Sequence, residues 1–197
     1  IYRLPVCGGI PVKVAEDTQG WMSISPDGSL ISFVRCKYTT DENCSLFVAN
    51  SADGSDERKL VTYGDPVRIA DNEFAPDGLS IAYAYGQSDG GQDDFRLAEI
   101  DIASGLTQDL STHRFFNIKS VAWLPDKTGW LLTANKNTDP DISILHLPAD
   151  GGPPVKLIDD SETYAGLSAT PRFDALVTTR ARRDTSVYLV DTHGTKE

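Results

Sequence analysis

The chain has 197 residues, 40% of them apolar and 24% charged, which suits one ordinary packed domain and excludes a disordered chain. Its 18 basic and 29 acidic residues leave a net charge of −11, which works against binding nucleic acid or docking on anionic lipid. No stretch approaches ~18 uninterrupted apolar residues, so no membrane span is expected; Ile1 with no basic and then apolar leader behind it reads as the start of a processed or excised piece.

In chain order, the first element is IYRLPVCGGIPVKVAED, two short strands about Gly8-Gly9, read as the outer pair of a preceding unit over residues 1–16. A longer pattern then repeats: WMSISPDGSLISFVR at Trp21–Arg35, NEFAPDGLSIAYAYG at Asn72–Gly86, VAWLPDKTGWLLTAN at Val121–Asn135 and LSATPRFDALVTTRA at Leu167–Ala181. Pro26, Pro76, Pro125 and Pro171 recur at intervals of 50, 49 and 46 residues. Behind each comes a second element of the kind CSLFVANSADGSDERKLVT, with its own Gly-containing turn. Each unit therefore reads strand, Pro-Asp-Gly turn, strand, loop, strand, Gly turn, strand. Three units are complete, at 17–62, 63–111 and 112–158, and 159–197 is an incomplete fourth. No window carries a capped helical period, so an all-β chain is expected.

Four antiparallel strands in ~40–50 residues, repeated, is the arithmetic of a β-propeller blade. The Ser-Pro-Asp-Gly hairpin, the apolar strand LISFV and the following LFVAN…DG…RKLVT resemble the TolB-type propeller repeat, a relative of the WD-repeat blade. IYRLPVCGGIPVKV and DDSETYAGLSAT are similar to the C-terminal propellers of bacterial receptor-like serine/threonine kinases and winged-helix regulators. The resemblance implies a non-catalytic sensor or interaction module with a protein or peptide partner. Propellers of that family usually have six or seven blades, whereas the units counted in this sequence make about four, so the chain reads as a fragment or open arc of a larger propeller. Open blade edges would invite self-association.

Face-to-face packing of blades buries both sides of the apolar runs Leu30–Val34 and Ile81–Tyr85, and Trp21, Trp123 and Trp130 are expected as filler between blades. The loops between second and third strands (with Asp41, Glu42, Asp89, Asp93, Asp94, Asp139 and Asp141) and the lead-in loops to each unit would share one rim. From the lead-ins we single out Arg68, His113, Arg114, Phe116 and Tyr164, a mixture of cationic and aromatic groups of the kind a binding face uses.

There is no G-x-S-x-G elbow, H-E-x-x-H, P-loop or G-x-G-x-x-G, and His113, His146 and His193 fall in three different units, so no catalytic residue, metal or cofactor is assigned. The alternatives are the substrate-gating propeller of a prolyl-oligopeptidase-like serine peptidase, or part of a propeller-fold lyase. Cys36 and Cys44 bracket a loop between strands expected to pair, which makes a disulfide between them one reading and two unlinked core thiols the other. Cys7 has no evident partner. A periplasmic or other extracytoplasmic location is expected, with a cytoplasmic one as the alternative.

Overall fold

The computed structural model describes residues 1–36, 43–87, 94–136, 141–160, 162–169 and 175–182. Most of the acidic loop residues, the turn at Pro171 and the last strand expected at 186–191 lie outside them; Asp94 and Asp141 are described.

Among the described residues every regular element is a strand. A short pair, β1 (Tyr2–Arg3) and β2 (Val12–Lys13), comes first. Three four-stranded antiparallel sheets follow, each in sequential order. The first holds β3 (Gln19–Ile24), β4 (Leu30–Cys36), β5 (Asn43–Asn50) and β6 (Arg58–Gly64). The second holds β7 (Val67–Phe74), β8 (Ser80–Gln87), β9 (Asp94–Asp101) and β10 (Thr107–Asp109). The third holds β11 (Asn117–Trp123), β12 (Gly129–Asn135), β13 (Ser143–Pro148) and β14 (Val155–Lys156). A final pair, β15 (Thr163–Ala169) and β16 (Leu176–Ala181), closes the series.

The hairpins between first and second strands follow from their residues. The carbonyls of Ser25, Ala75 and Leu124 accept the N–H groups of Gly28, Gly78 and Lys127 at 2.8, 2.8 and 2.9 Å. Proline supplies the fixed φ inside each turn, and the closing residue is left-handed, at φ +73°, +72° and +58°. Glycine meets that demand without strain in two turns, and Lys127 takes it in the third. Asp27, Asp77 and Asp126 fold back to accept the N–H of Ser29, Leu79 and Thr128 at 3.0, 3.0 and 3.1 Å. Successive turns also touch: the Lys127 amine pairs with the Asp77 carboxylate.

The sheets stack through their faces, and alternation along each strand decides which neighbour a side chain meets. On β8, Ile81 and Tyr83 join Val34, Leu46 and Val48 of the first sheet, whereas Ala82 and Ala84 join Leu132, Leu145 and Leu147 of the third. On β9, Ala98 and Ile100 turn to the first sheet, Phe95 and Leu97 to the third. On β4, Ile31 and Phe33 pack with Val14, Ala15 and Ala49, and Val34 packs the other way. The first strands meet in series, β3 on β7, β7 on β11 and β11 on β15. This is a radial arrangement with the first strands innermost, and the described residues leave it open.

Each first strand carries a register shift, between Gln19 and Met22, Ile69 and Asp71, Ile118 and Ser120, and Ala165 and Ser168. Such bulges sharpen strand twist, and here they recur at the same place in all four units.

Trp123 and Trp130 are core residues as expected, with ring centroids 5.0 Å apart. Trp21 corrects the expectation: it is 39% exposed. The reason is positional. β7 and β11 each have a first strand on both sides, whereas among the described residues β3 has one such neighbour, β7. Met22 and Ile24 are exposed beside it, as are Tyr2, Leu4 and Val12 around the leading pair. An apolar cleft of about 360 Å³ lies between the two, walled by Ile1, Tyr2, Val14, Met22, Ile24 and Ile31.

Candidate functional site

The rim residues stand at the starts of the inner strands, the ends opposite the Pro-Asp-Gly turns. Arg68, in β7, donates from its guanidinium to Asp65 Oδ1 at 2.5 Å and to the Val67 carbonyl at 3.1 Å. The lead-in to β11 is fixed by a two-way backbone bridge, Phe95 N–H to the Phe115 carbonyl at 2.8 Å and Phe115 N–H to the Phe95 carbonyl at 3.0 Å. That bridge turns Phe115 into the core, where it is 1% exposed. Its neighbours consequently face outward: Arg114 is exposed and Phe116 half-buried. His113 is half-buried, with its N–H donated to Ser111 Oγ at 3.0 Å. Tyr164 is different. Its ring is buried and its hydroxyl donates to Asp160 Oδ2 at 2.7 Å, which raises the phenol pKa and lowers that of the carboxyl. The structure thus brings His113, Arg114 and Phe116 together on one short segment, sets Arg68 at the corresponding place one blade earlier, and turns the Tyr164 side chain inward.

A charged and phenolic network that the sequence did not reveal adjoins this segment. The Arg114 guanidinium pairs with Asp94 Oδ2. Arg96 stands between two carboxylates, 3.7 Å from Asp94 and 3.8 Å from Asp109. Asp109 Oδ1 accepts the Tyr85 hydroxyl at 2.8 Å, and desolvation together with that carboxylate pushes the Tyr85 phenol up to about 12. Tyr85 stacks on Tyr63 of the first sheet, ring centroids 4.8 Å apart. Tyr63 and Tyr83 share a hydroxyl–hydroxyl bond of 2.8 Å. The β8–β9 register sets Arg96 directly opposite Tyr85. An open cleft of about 430 Å³ is lined here by Arg96, Asp109, Leu110, Ser111, Thr112 and Arg114, with Gly151 beside them.

Nearer the axis, Asp71 Oδ2 accepts the Val121 N–H of β11 at 2.8 Å, tying two inner strands together. Desolvation raises the Asp71 carboxyl to about 7, against the lowering effect of that hydrogen bond, and it raises neighbouring Glu73 as well. Among the described residues no group of three or more His, Cys, Asp or Glu side chains is placed to hold a metal ion. Cys36 and Cys44 face each other across β4 and β5, joined by a disulfide, and Cys44 Sγ accepts the Ile69 N–H at 3.3 Å. Cys7 is a free, exposed thiol. No described helix is long and apolar enough to cross a membrane.

No family model matches the chain. Dipeptidyl-peptidase 5 of Porphyromonas gingivalis is 27% identical over 126 residues, 61% of this chain and 18% of that protein. The chain therefore spans less than a fifth of that curated relative. Among solved structures, a protein assigned as TolB from Agrobacterium tumefaciens superposes with a TM-score of 0.72 at 20% identity, over 100% of this chain and 72% of the other. TolB from Acinetobacter baumannii gives 0.72 at 16% identity, over 99% and 47%. An oligogalacturonate lyase in complex with manganese gives 0.61 at 14% identity, over 89% and 49%. At these identities the likeness speaks for the fold. Four-stranded antiparallel sheets, stacked in series around their first strands and superposing on these proteins, give the chain the fold of the TolB-type β-propeller, here as an open arc.

Proposed function

We propose that the chain is a non-catalytic protein-interaction segment of a bacterial signalling protein, one that binds a peptide or protein through the rim at the starts of its inner strands. The observation that carries this reading is the segment His113–Asn117. A backbone bridge to β9 holds it, so Arg114 and Phe116 are presented from a rigid support at little ordering cost on binding. Arg68 extends the face by one blade. Tyr164 contributes by holding Asp160. The superposition on TolB supports an interaction role, and the sequence resemblance to sensor propellers supports a signalling one. The Cys36–Cys44 bridge suits an oxidising, extracytoplasmic compartment such as the periplasm.

The test is selection of a random peptide library on the immobilised chain. Enriched peptides should lose at least tenfold in affinity when Arg68, His113, Arg114 and Phe116 are replaced together by alanine. Absence of any enriched peptide, or binding unchanged by the fourfold replacement, contradicts the reading.

A second reading, the gating propeller of a serine peptidase, is favoured by the match to dipeptidyl-peptidase 5. It requires a nucleophile elbow in another part of the same polypeptide. Turnover of fluorogenic dipeptide substrates by a longer form of the protein, with none by this chain alone, would support it.

A further inference from the structure

We propose that the cleft beside Arg96 is a receptor for a single carboxylate, the free C-terminus or an acidic side chain of a bound peptide. The inference rests on the rim-binding reading above and names the chemistry recognised there.

Four charged groups meet at the cleft, and their hydrogen bonds are unevenly shared. Asp94 takes its close contact from Arg114, and Asp109 takes its own from the Tyr85 hydroxyl. Arg96 is left at 3.7 and 3.8 Å from the two carboxylates, attracted to both and within hydrogen-bond range of neither. Its guanidinium therefore keeps a planar fork of donors, on a strand fixed by pairing on both sides and with the side chain 34% exposed to the cleft. A planar fork matches a carboxylate two bonds at a time. The surroundings add two further elements. Ser111 Oγ already accepts the His113 N–H, so its hydroxyl proton is available to a second acceptor. Leu110 supplies an apolar wall. A volume of about 430 Å³ falls in the range of small-ligand sites.

The charge balance selects the ligand. Arg96 and Arg114 are offset by Asp94 and Asp109, so the site has no surplus positive charge for a dianion. A phosphate would bring two negative charges beside two aspartates, whereas a carboxylate brings one. The chain's net charge of −11 reinforces that preference.

The experiment uses N-acetyl-Ala-Leu with a free carboxyl terminus, its C-terminal amide and inorganic phosphate as probes, followed in NMR titrations through the backbone amide resonances of Leu110, Ser111 and Thr112, which line the cleft and persist when Arg96 is replaced. The acid should saturate, and the amide should bind at least tenfold more weakly. Arg96→Met should abolish saturation by the acid and Arg96→Lys should weaken it, while Lys13→Ala, an exposed change on the leading pair, leaves it unchanged. Unfolding midpoints within a few degrees of the unmodified chain establish that the variants are folded. Equal binding of acid and amide, an unaffected Arg96→Met variant, or phosphate binding as tight as the acid would each overturn the proposal. Library peptides that depend on Arg68 and Phe116 but bind Arg96→Met normally would overturn it while leaving the rim reading intact.

Discussion

Asp71 shows how one side chain links blades and pH. Its carboxylate receives an N–H from the next inner strand, yet desolvation lifts its pKa from near 3.8 to about 7. A carboxyl raised on folding binds its proton more tightly in the native state. Its contribution to stability is therefore complete below about pH 4 and lost as pH rises towards 7. Asp71→Asn keeps an acceptor for the Val121 N–H and removes the titration. Thermal unfolding should show the variant gaining on the parent between pH 5 and pH 7.5, and no relative gain would refute the buried-carboxylate account. The turn aspartates act in the opposite direction and in a lower window. Hydrogen bonds from Ser25 and Ser29 hold Asp27 down to about 2, so what they contribute is present above about pH 4 and lost on further acidification. Tyr83 makes a simpler case. Tyr83→Phe removes its bond to the Tyr63 hydroxyl and should cost about 1 kcal/mol in denaturant unfolding, because Tyr63 is only half-buried and can turn to water.

At the scale of elements, what the sequence disclosed depended on how local the chemistry was. The Pro-Asp-Gly turns were legible because proline, an Asx side chain and a left-handed closing residue act within four positions. The strand runs were legible because burial on both faces leaves continuous apolar stretches. Two of the four bulges were not, since Ala70 and Lys119 are residues that no bulge requires; the other two contain Gly20 and Gly166, the latter at φ +71°, and a glycine within a strand run is a local signal of a bulge. Phe115 and Phe116 look alike in sequence, and only the bridge to Phe95 decides which is core and which is rim. Arg96 carries no signal in the sequence for the same reason: its neighbours come from the registers of β8, β9 and β10. Strand spacing also makes a firm demand at Gly86, where an added Cβ would stand 2.2 Å from the Asp94 carbonyl oxygen and 2.6 Å from Phe95 Cα. Gly86→Ala should destabilise by about 1–3 kcal/mol, and a neutral effect in denaturant unfolding would show that β8 and β9 are further apart. The final hairpin differs from the others. Among the described residues the apolar clusters lie between the earlier sheets and under the leading pair, and Tyr164 is the one buried hydrophobic residue that β15 and β16 supply. Hydrogen exchange should accordingly release β15 and β16 well before β8 and β9; simultaneous exchange would mean the arc unfolds as one unit.

For the molecule as a whole, the arc has a rim at the starts of its inner strands, a ring of turns at their other ends, and an apolar face on the leading side. Exposed Met22 and Ile24 beside Tyr2, Leu4 and Val12 make concentration-dependent association the expected behaviour. Sedimentation should report a mean mass that rises with concentration, and a constant monomer mass would show that this face is tolerated bare. Binding itself is assigned to the rim, and the amide spectrum of the chain titrated with a library-selected peptide tests that assignment most directly. The largest shifts should fall at Arg68 and at His113–Asn117, with the turns at 26–29, 76–79 and 125–128 unmoved. Shifts concentrated in those turns, with the rim segments silent, would contradict it.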